Sequence, residues 1–173
     1  MTANNPDLDL EKNNDADHST SASNCYASLM LDNQLCFSLY VCSKEIIKKY
    51  KPLLDPYNLT YTGYIILMAL WEKDDITVKE LGTHLYLDSG TLTPMLKKLE
   101  AQDYVSRIRS SSDERNVFIK LTLKGRAFQD IALQIPKDLI CNLDLDPQDA
   151  VGLLNGLHQL MLKFEPKQSS VID

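Results

Sequence analysis

Residues 77–107 read TVKELGTHLYLDSGTLTPMLKKLEAQDYVSR, and residues 113–125 read DERNVFIKLTLKG. The hydrophobic period changes inside this stretch, and that change decides the fold. Thr77, with Glu80 three residues on, has the pattern of a capping box. Val78, Leu81 and Leu85 then give a short helix its inner face. A break follows at Leu87, and Asp88-Ser89 offers a second N-cap. In the next helix Leu92, Met95, Leu96 and Leu99 point inward, and Gly90, Thr93, Pro94 and Lys97 form the opposite face. Pro94 lacks an N–H, so it costs a backbone bond if it lies past the first helical turn. From here the period is two. Val105, Arg107 and Arg109 alternate with Tyr104, Ser106 and Ile108. After the polar run 110–114, Val117, Ile119 and Leu121 alternate with Asn116, Phe118 and Lys120. That pattern is a hairpin with a charged tip.

The flanks are helical. Leu35, Leu39, Cys42, Ile46, Tyr50 and Leu53 recur at three- and four-residue spacing, and Pro52 is expected to end or kink that helix. The run from Leu59 to Trp71 is almost wholly apolar, as in a helix buried nearly all round. Lys73-Asp74-Asp75 reads as a turn. From Thr122 the helical pattern returns through Ala127, Ile131 and Ile135, with a bend expected at Pro136. Pro147 starts a last helix whose stripe is Leu154, Leu157, Met161 and Phe164. No repeats are present.

The chain has 173 residues, 44% of them hydrophobic, enough to bury one compact core. Nothing near the N-terminus reads as a secretory signal, and no run approaches the roughly 20 apolar residues of a membrane span, so no membrane partner and a cytoplasmic site are expected. Four cysteines (Cys25, Cys36, Cys42 and Cys141) and three histidines (His18, His84 and His158) are scattered, which excludes a zinc-type pattern; neither metal nor cofactor is expected. Cys42 and Tyr40, close to the apolar stripe, read as core residues, and His84 as a packing or capping residue. The net charge of −6 is unevenly spread. Residues 1–32 carry −5, whereas residues 79–126 carry +3. Phosphate binding depends on the local field, not on the total.

Helix, short turn, helix, basic hairpin is the order of a winged helix-turn-helix: a mainly α-helical fold with a small β wing. The second helix presents the small polar groups Ser89, Gly90, Thr91 and Thr93 beside Lys97, and no acid lies between Ser89 and Leu99. Small side chains let a helix sit deep in the major groove, where hydroxyls reach base edges or phosphates. Pro94 is shaped to press on a thymine methyl. Arg107, Arg109 and Arg115 around the hairpin are placed to reach phosphates or the minor groove. Double-stranded DNA is therefore the expected partner.

The two quoted runs resemble the MarR family of transcriptional regulators, whose wing signature corresponds here to Asp113, Arg115, Leu121 and Thr122. LDNQLCFSLY at 31–40, YKPLLDPYNLTY at 50–61, and above all YLDSGTLTPMLKKLE at 86–100 look like the organic-hydroperoxide-sensing branch, the Ohr repressors. The resemblance runs from about Leu31 to Phe164.

The resemblance implies a repressor of operator DNA that forms an obligate homodimer through its N- and C-terminal helices. By this reading residues 1–30 are a loosely ordered acidic tail, 31–165 the winged-helix domain, and 166–173 a short tail. The DNA-binding lobe spans about 74–122, and the dimerisation helices about 31–55 and 123–165. Cys36 corresponds to the peroxide-reactive cysteine, with an organic hydroperoxide as inducer. Tyr50 and Tyr61 match the tyrosines that approach that sulfur from the partner subunit, and Cys141 stands where some members form an intersubunit disulfide. Cys25 and Cys42 have no counterpart, and Cys25 is an alternative resolving thiol. A regulator responding to a small aromatic ligand is the competing reading. A thiol peroxidase would leave the DNA-reading helix unexplained, so no enzyme is expected.

Overall fold

The computed structural model describes residues 26–110 and 116–164. Two short 3-10 turns, Ala27–Leu29 and Leu31–Asn33, precede helix α1 (Leu35–Leu54). Helix α2 (Tyr61–Glu72), strand β1 (Ile76–Thr77), α3 (Val78–Leu85) and α4 (Ser89–Ala101) follow. Strands β2 (Val105–Arg109) and β3 (Val117–Leu121) lead to α5 (Leu123–Ala132), α6 (Ile135–Leu143) and α7 (Pro147–Met161). The chain divides into two compact units, Met1–Ile46 and Ile47–Asp173, with the border inside α1.

In the second unit, α2 is the centre of the core. Its Ile66, Leu67 and Leu70 are fully buried, as are Leu81 of α3 and Leu92 and Leu96 of α4. Thr60 caps α2 by accepting from the Gly63 N–H at 3.1 Å. The hairpin pairs antiparallel in the register Val105↔Leu121 to Arg109↔Val117. β1 adds a third strand through Ile76↔Ile119, giving the order β1-β3-β2. Two residues are too short for a period-two signal, so this strand was not legible in the sequence. Asp74 fastens the corner beside it. Its carboxylate pairs with Arg126 of α5 and accepts from the Leu121 N–H at 2.9 Å. Trp71 Nε1 donates to the Gly125 carbonyl at 3.0 Å, joining α2 to α5.

Several expectations change. Pro52 does not stop α1, which continues to Leu54. The ring sits in the last turn of a 20-residue helix, where one lost bond is tolerated. The helix after Thr122 is not one bent helix but two. Leu133 and Gln134 separate them, and Pro136 lies in the first turn of α6, where its missing N–H has no intrahelical partner to lose. The phase of α5 also differs. Gly125, Phe128 and Ala132 are buried, whereas Ala127 and Ile131 face outward. Tyr40 and Cys42 are exposed on this chain and are not core residues. His84 is exposed, its Nε2 lying 3.1 Å from the exposed Glu72 Oε2 of α2. The proposed tails, Cys25, Asp113 and Arg115 lie wholly or largely outside the described residues.

Candidate functional site

The basic lobe is assembled by its caps. Thr77 Oγ1 accepts from the Glu80 N–H at 3.1 Å, and Glu80 Oε2 accepts from the Thr77 N–H at 2.8 Å, the reciprocal capping box. These bonds hold the Glu80 carboxyl below its ordinary range. Tyr86 ends α3 in the left-handed region, at φ 54°, and so turns the chain sharply toward α4. Asp88 caps α4 by accepting from the Thr91 N–H at 2.9 Å and from Thr91 Oγ1 at 2.8 Å. The same bonds lower the Asp88 pKa.

Helix α4 starts at Ser89, so Pro94 is its sixth residue and lies past the first turn. Ser89, Gly90, Thr91, Pro94 and Lys97 are exposed, and Thr93 is half-buried. The Thr93 hydroxyl donates to the Ser89 carbonyl at 2.6 Å. With both threonine protons committed within the helix, each hydroxyl presents lone pairs and a methyl group outward. A groove of about 250 Å³ separates α4 from the wing, lined by Lys79, Ser89, Thr93, Arg107 and Val117 among others. Arg109 is exposed at the end of β2. Arg107 is not free in the same way. Its main-chain N–H donates to Glu100 Oε1 at 3.2 Å, and its Nη1 lies 3.4 Å from Glu100 Oε2.

Cys36 is the second residue of α1 and is a free, exposed thiol, as is Cys141 in α6. In the second unit three phenols converge. The ring of Tyr50 lies 4.8 Å from that of Tyr61 and 5.9 Å from that of Tyr64. Burial, then the neighbouring phenols, pushes Tyr50 up to about 12, and burial raises Tyr61 and Tyr64 as well. All three are therefore neutral hydrogen-bond donors at physiological pH. Among the described residues no cluster of His, Cys, Asp or Glu could hold a metal, and no helix is long and apolar enough to cross a membrane.

Comparison with known proteins places this arrangement. The organic hydroperoxide resistance transcriptional regulator of Bacillus subtilis is 46% identical over 144 residues, covering 83% of this chain and 98% of that protein. The chain belongs to the MarR family of winged-helix regulators, in its organic-hydroperoxide branch. The family of transcriptional regulators SarA/Rot matches residues 48–131. The Staphylococcus epidermidis regulator AbfR, in its reduced form bound to DNA, superposes with a TM-score of 0.65 at 35% identity, covering 78% of this chain and 94% of that one. AbfR in its disulfide form gives 0.58 at 35% identity, covering 81% and 98%. The relatives of this MarR-family chain are transcriptional regulators, and it is one of them and not an enzyme.

Three residues of this regulator escaped sequence reasoning. Tyr64 follows Tyr61 by three residues, a spacing that puts both on one helix face, so a signal was present. Asp74 and Glu100 gave none, because their partners Arg126 and Arg107 are set by tertiary packing.

Proposed function

We propose that this regulator is a dimeric repressor that grips double-stranded operator DNA with α4 and the β2–β3 wing and releases it when an organic hydroperoxide oxidises Cys36. The observation that carries the reading is the trio of protonated phenols, Tyr50, Tyr61 and Tyr64, on a chain whose Cys36 thiol is free and exposed. Phenol O–H groups offered by one subunit to the Cys36 sulfur of the other stabilise its thiolate, the reactive form. AbfR has been solved both reduced on DNA and in a disulfide form, which supports a thiol switch in this family.

Homodimerisation rests on the helices outside the lobe, about 31–55 and 123–165. No residue of α7 is buried on this chain, and Val151, Leu154 and Met161 are exposed. A second copy is the natural cover for such a face. The DNA-reading lobe is then residues 74–122. Ser89, Gly90, Thr91, Thr93, Pro94 and Lys97 enter the major groove, and Arg109, Asp113 and Arg115 serve the wing.

The chemistry balances as follows. The Cys36 thiolate attacks the outer peroxide oxygen; an S–O bond forms, the O–O bond breaks, and the alkoxide takes a proton to leave as an alcohol. The sulfenic acid then condenses with Cys141 of the other subunit, forming the disulfide and releasing water. That bond needs Cα atoms within about 7 Å, so its formation fixes the helices carrying it and changes the spacing of the two α4 helices. In the test, one equivalent of cumene hydroperoxide is added while operator binding and non-reducing gel mobility are followed. A covalent dimer that needs both cysteines and appears as DNA is released is expected. Release by Cys36→Ser protein would refute Cys36 as the sensor.

A second reading has one observation in its favour. An apolar cleft of about 310 Å³ lies between α2 and α5–α6, lined by Tyr64, Met68, Trp71 and Leu133 among others. A small aromatic ligand would fit it. DNA release by such a ligand from protein lacking all cysteines would support this reading.

A further inference from the structure

Edge strand β2 leaves one row of backbone groups without a strand partner, and such groups need another acceptor. At Arg107 that acceptor is a side chain. Glu100, in the last turn of α4, takes the Arg107 main-chain N–H on one oxygen and its guanidinium on the other. Only 24% of the Arg107 side chain is exposed, and its buried Nε has no hydrogen-bond partner among the described residues. A guanidinium held in this way has given up the reach that phosphate contact needs. Its neighbour Arg109, two residues further along the strand, is exposed.

The chain just after Glu100 is tied to its surroundings. Two residues later Gln102 Nε2 donates to the Asn58 carbonyl at 2.8 Å, and Lys124 Nζ reaches the Gln102 carbonyl at 2.7 Å. The carboxylate thus stands on a fixed base and fixes the root of the wing in turn. We propose that Glu100 is a positioning residue for DNA binding: it holds strand β2 against the α4 helix, and Arg107 is the strut between them and not a phosphate ligand.

This rests on the DNA-binding reading above and replaces the phosphate or minor-groove contact that the sequence suggested for Arg107. It also opposes simple electrostatics. Removing an acid from a DNA-facing lobe should strengthen binding. A strut predicts the reverse, because the wing is no longer delivered to the backbone in register with α4.

The test uses the full-length dimer and a family-type operator, with affinity measured from low to moderate salt. Glu100→Ala is expected to weaken binding roughly three- to fivefold, the scale of a partly exposed ion pair. Glu100→Gln, whose single amide oxygen can replace only one of the two carboxylate acceptors, is expected to restore part of the loss. Arg107→Gln should weaken binding with little change in the slope of log affinity against log salt. Arg109→Gln, the phosphate-contact comparison, removes one contact per subunit and should make that slope shallower by about 1.8 for the dimer. Circular dichroism and the thermal midpoint confirm that each variant is folded. Equal or tighter binding by Glu100→Ala would overturn the proposal, as would a slope change of about 1.8 for Arg107→Gln in the dimer. If the wild-type protein bound no duplex at all, the DNA-binding reading itself would fall.

Discussion

Gly125→Ala separates what helix propensity says from what packing says. Gly125 is the third residue of α5, and propensity alone credits alanine there with about 1 kcal/mol. The structure reverses the sign. A Cβ at Gly125 would stand 2.1 Å from the Tyr104 carbonyl oxygen and 3.1 Å from Leu121 Cδ2. That carbonyl is anchored, since it accepts from the Thr122 N–H and from Thr122 Oγ1, each at 3.1 Å. Relief requires α5 to move, which also strains the bond from Trp71 Nε1 to the Gly125 carbonyl. Three bonds at about 1 kcal/mol each, less the propensity gain, leave a net loss of roughly 2 kcal/mol. For a chain of this length that lowers the thermal midpoint by roughly 4–8 °C. The control is Gly63→Ala in α2, where the nearest atoms to the added Cβ are at 3.4, 3.5 and 3.7 Å. This variant should be neutral or stabilised by up to about 1 kcal/mol. Urea and thermal unfolding at one fixed protein concentration measure both, because dimer stability depends on concentration. A Gly125→Ala protein as stable as the parent would refute the close approach of α5 to the root of β2.

Thr77→Ala removes the capping-box hydroxyl and should cost about 1 kcal/mol in urea unfolding, while Thr77→Ser keeps most of it. Alkaline stability should follow the phenol cluster. The folded pKa of Tyr50 is raised from 10.0 to about 12, so the folded state holds the proton more tightly than the unfolded chain does. Its stabilisation is complete below pH 10 and is lost as pH rises toward 12. The urea midpoint should fall across that window, and less steeply in Tyr50→Phe; equal slopes would remove the cluster as the cause.

Much of this was legible because it is local. Thr77 with Glu80, and Asp88 before a run with no acid from Ser89 to Leu99, are short-range signals whose hydrogen bonds close within three residues. The switch from a helical period to a period of two at Val105 marks the wing, since a strand exposes alternate residues whatever it packs against. The same local rules misjudged α5. Its stripe was taken from Ala127 and Ile131, whereas the buried face is set by the close approach of Gly125 to Tyr104 and by Phe128 packing 5.5 Å from the Tyr104 ring. The resemblance singled out Tyr50 and Tyr61, but their stacking with Tyr64 and the resulting pKa shifts needed coordinates.

By itself, then, the sequence determined the order of the main helices and the hairpin, the caps of α3 and α4, and the basic lobe inside an acidic chain. Tertiary structure alone decided that Arg107 faces Glu100, that Asp74 ties the wing to α5, and that three phenols share one cluster. The reason is sequence distance. Caps and periods are written within a turn or two of chain, whereas Asp74 and Arg126 are 52 residues apart. Such a pair exists only once hydrophobic burial has brought α2, the wing and α5 around one core.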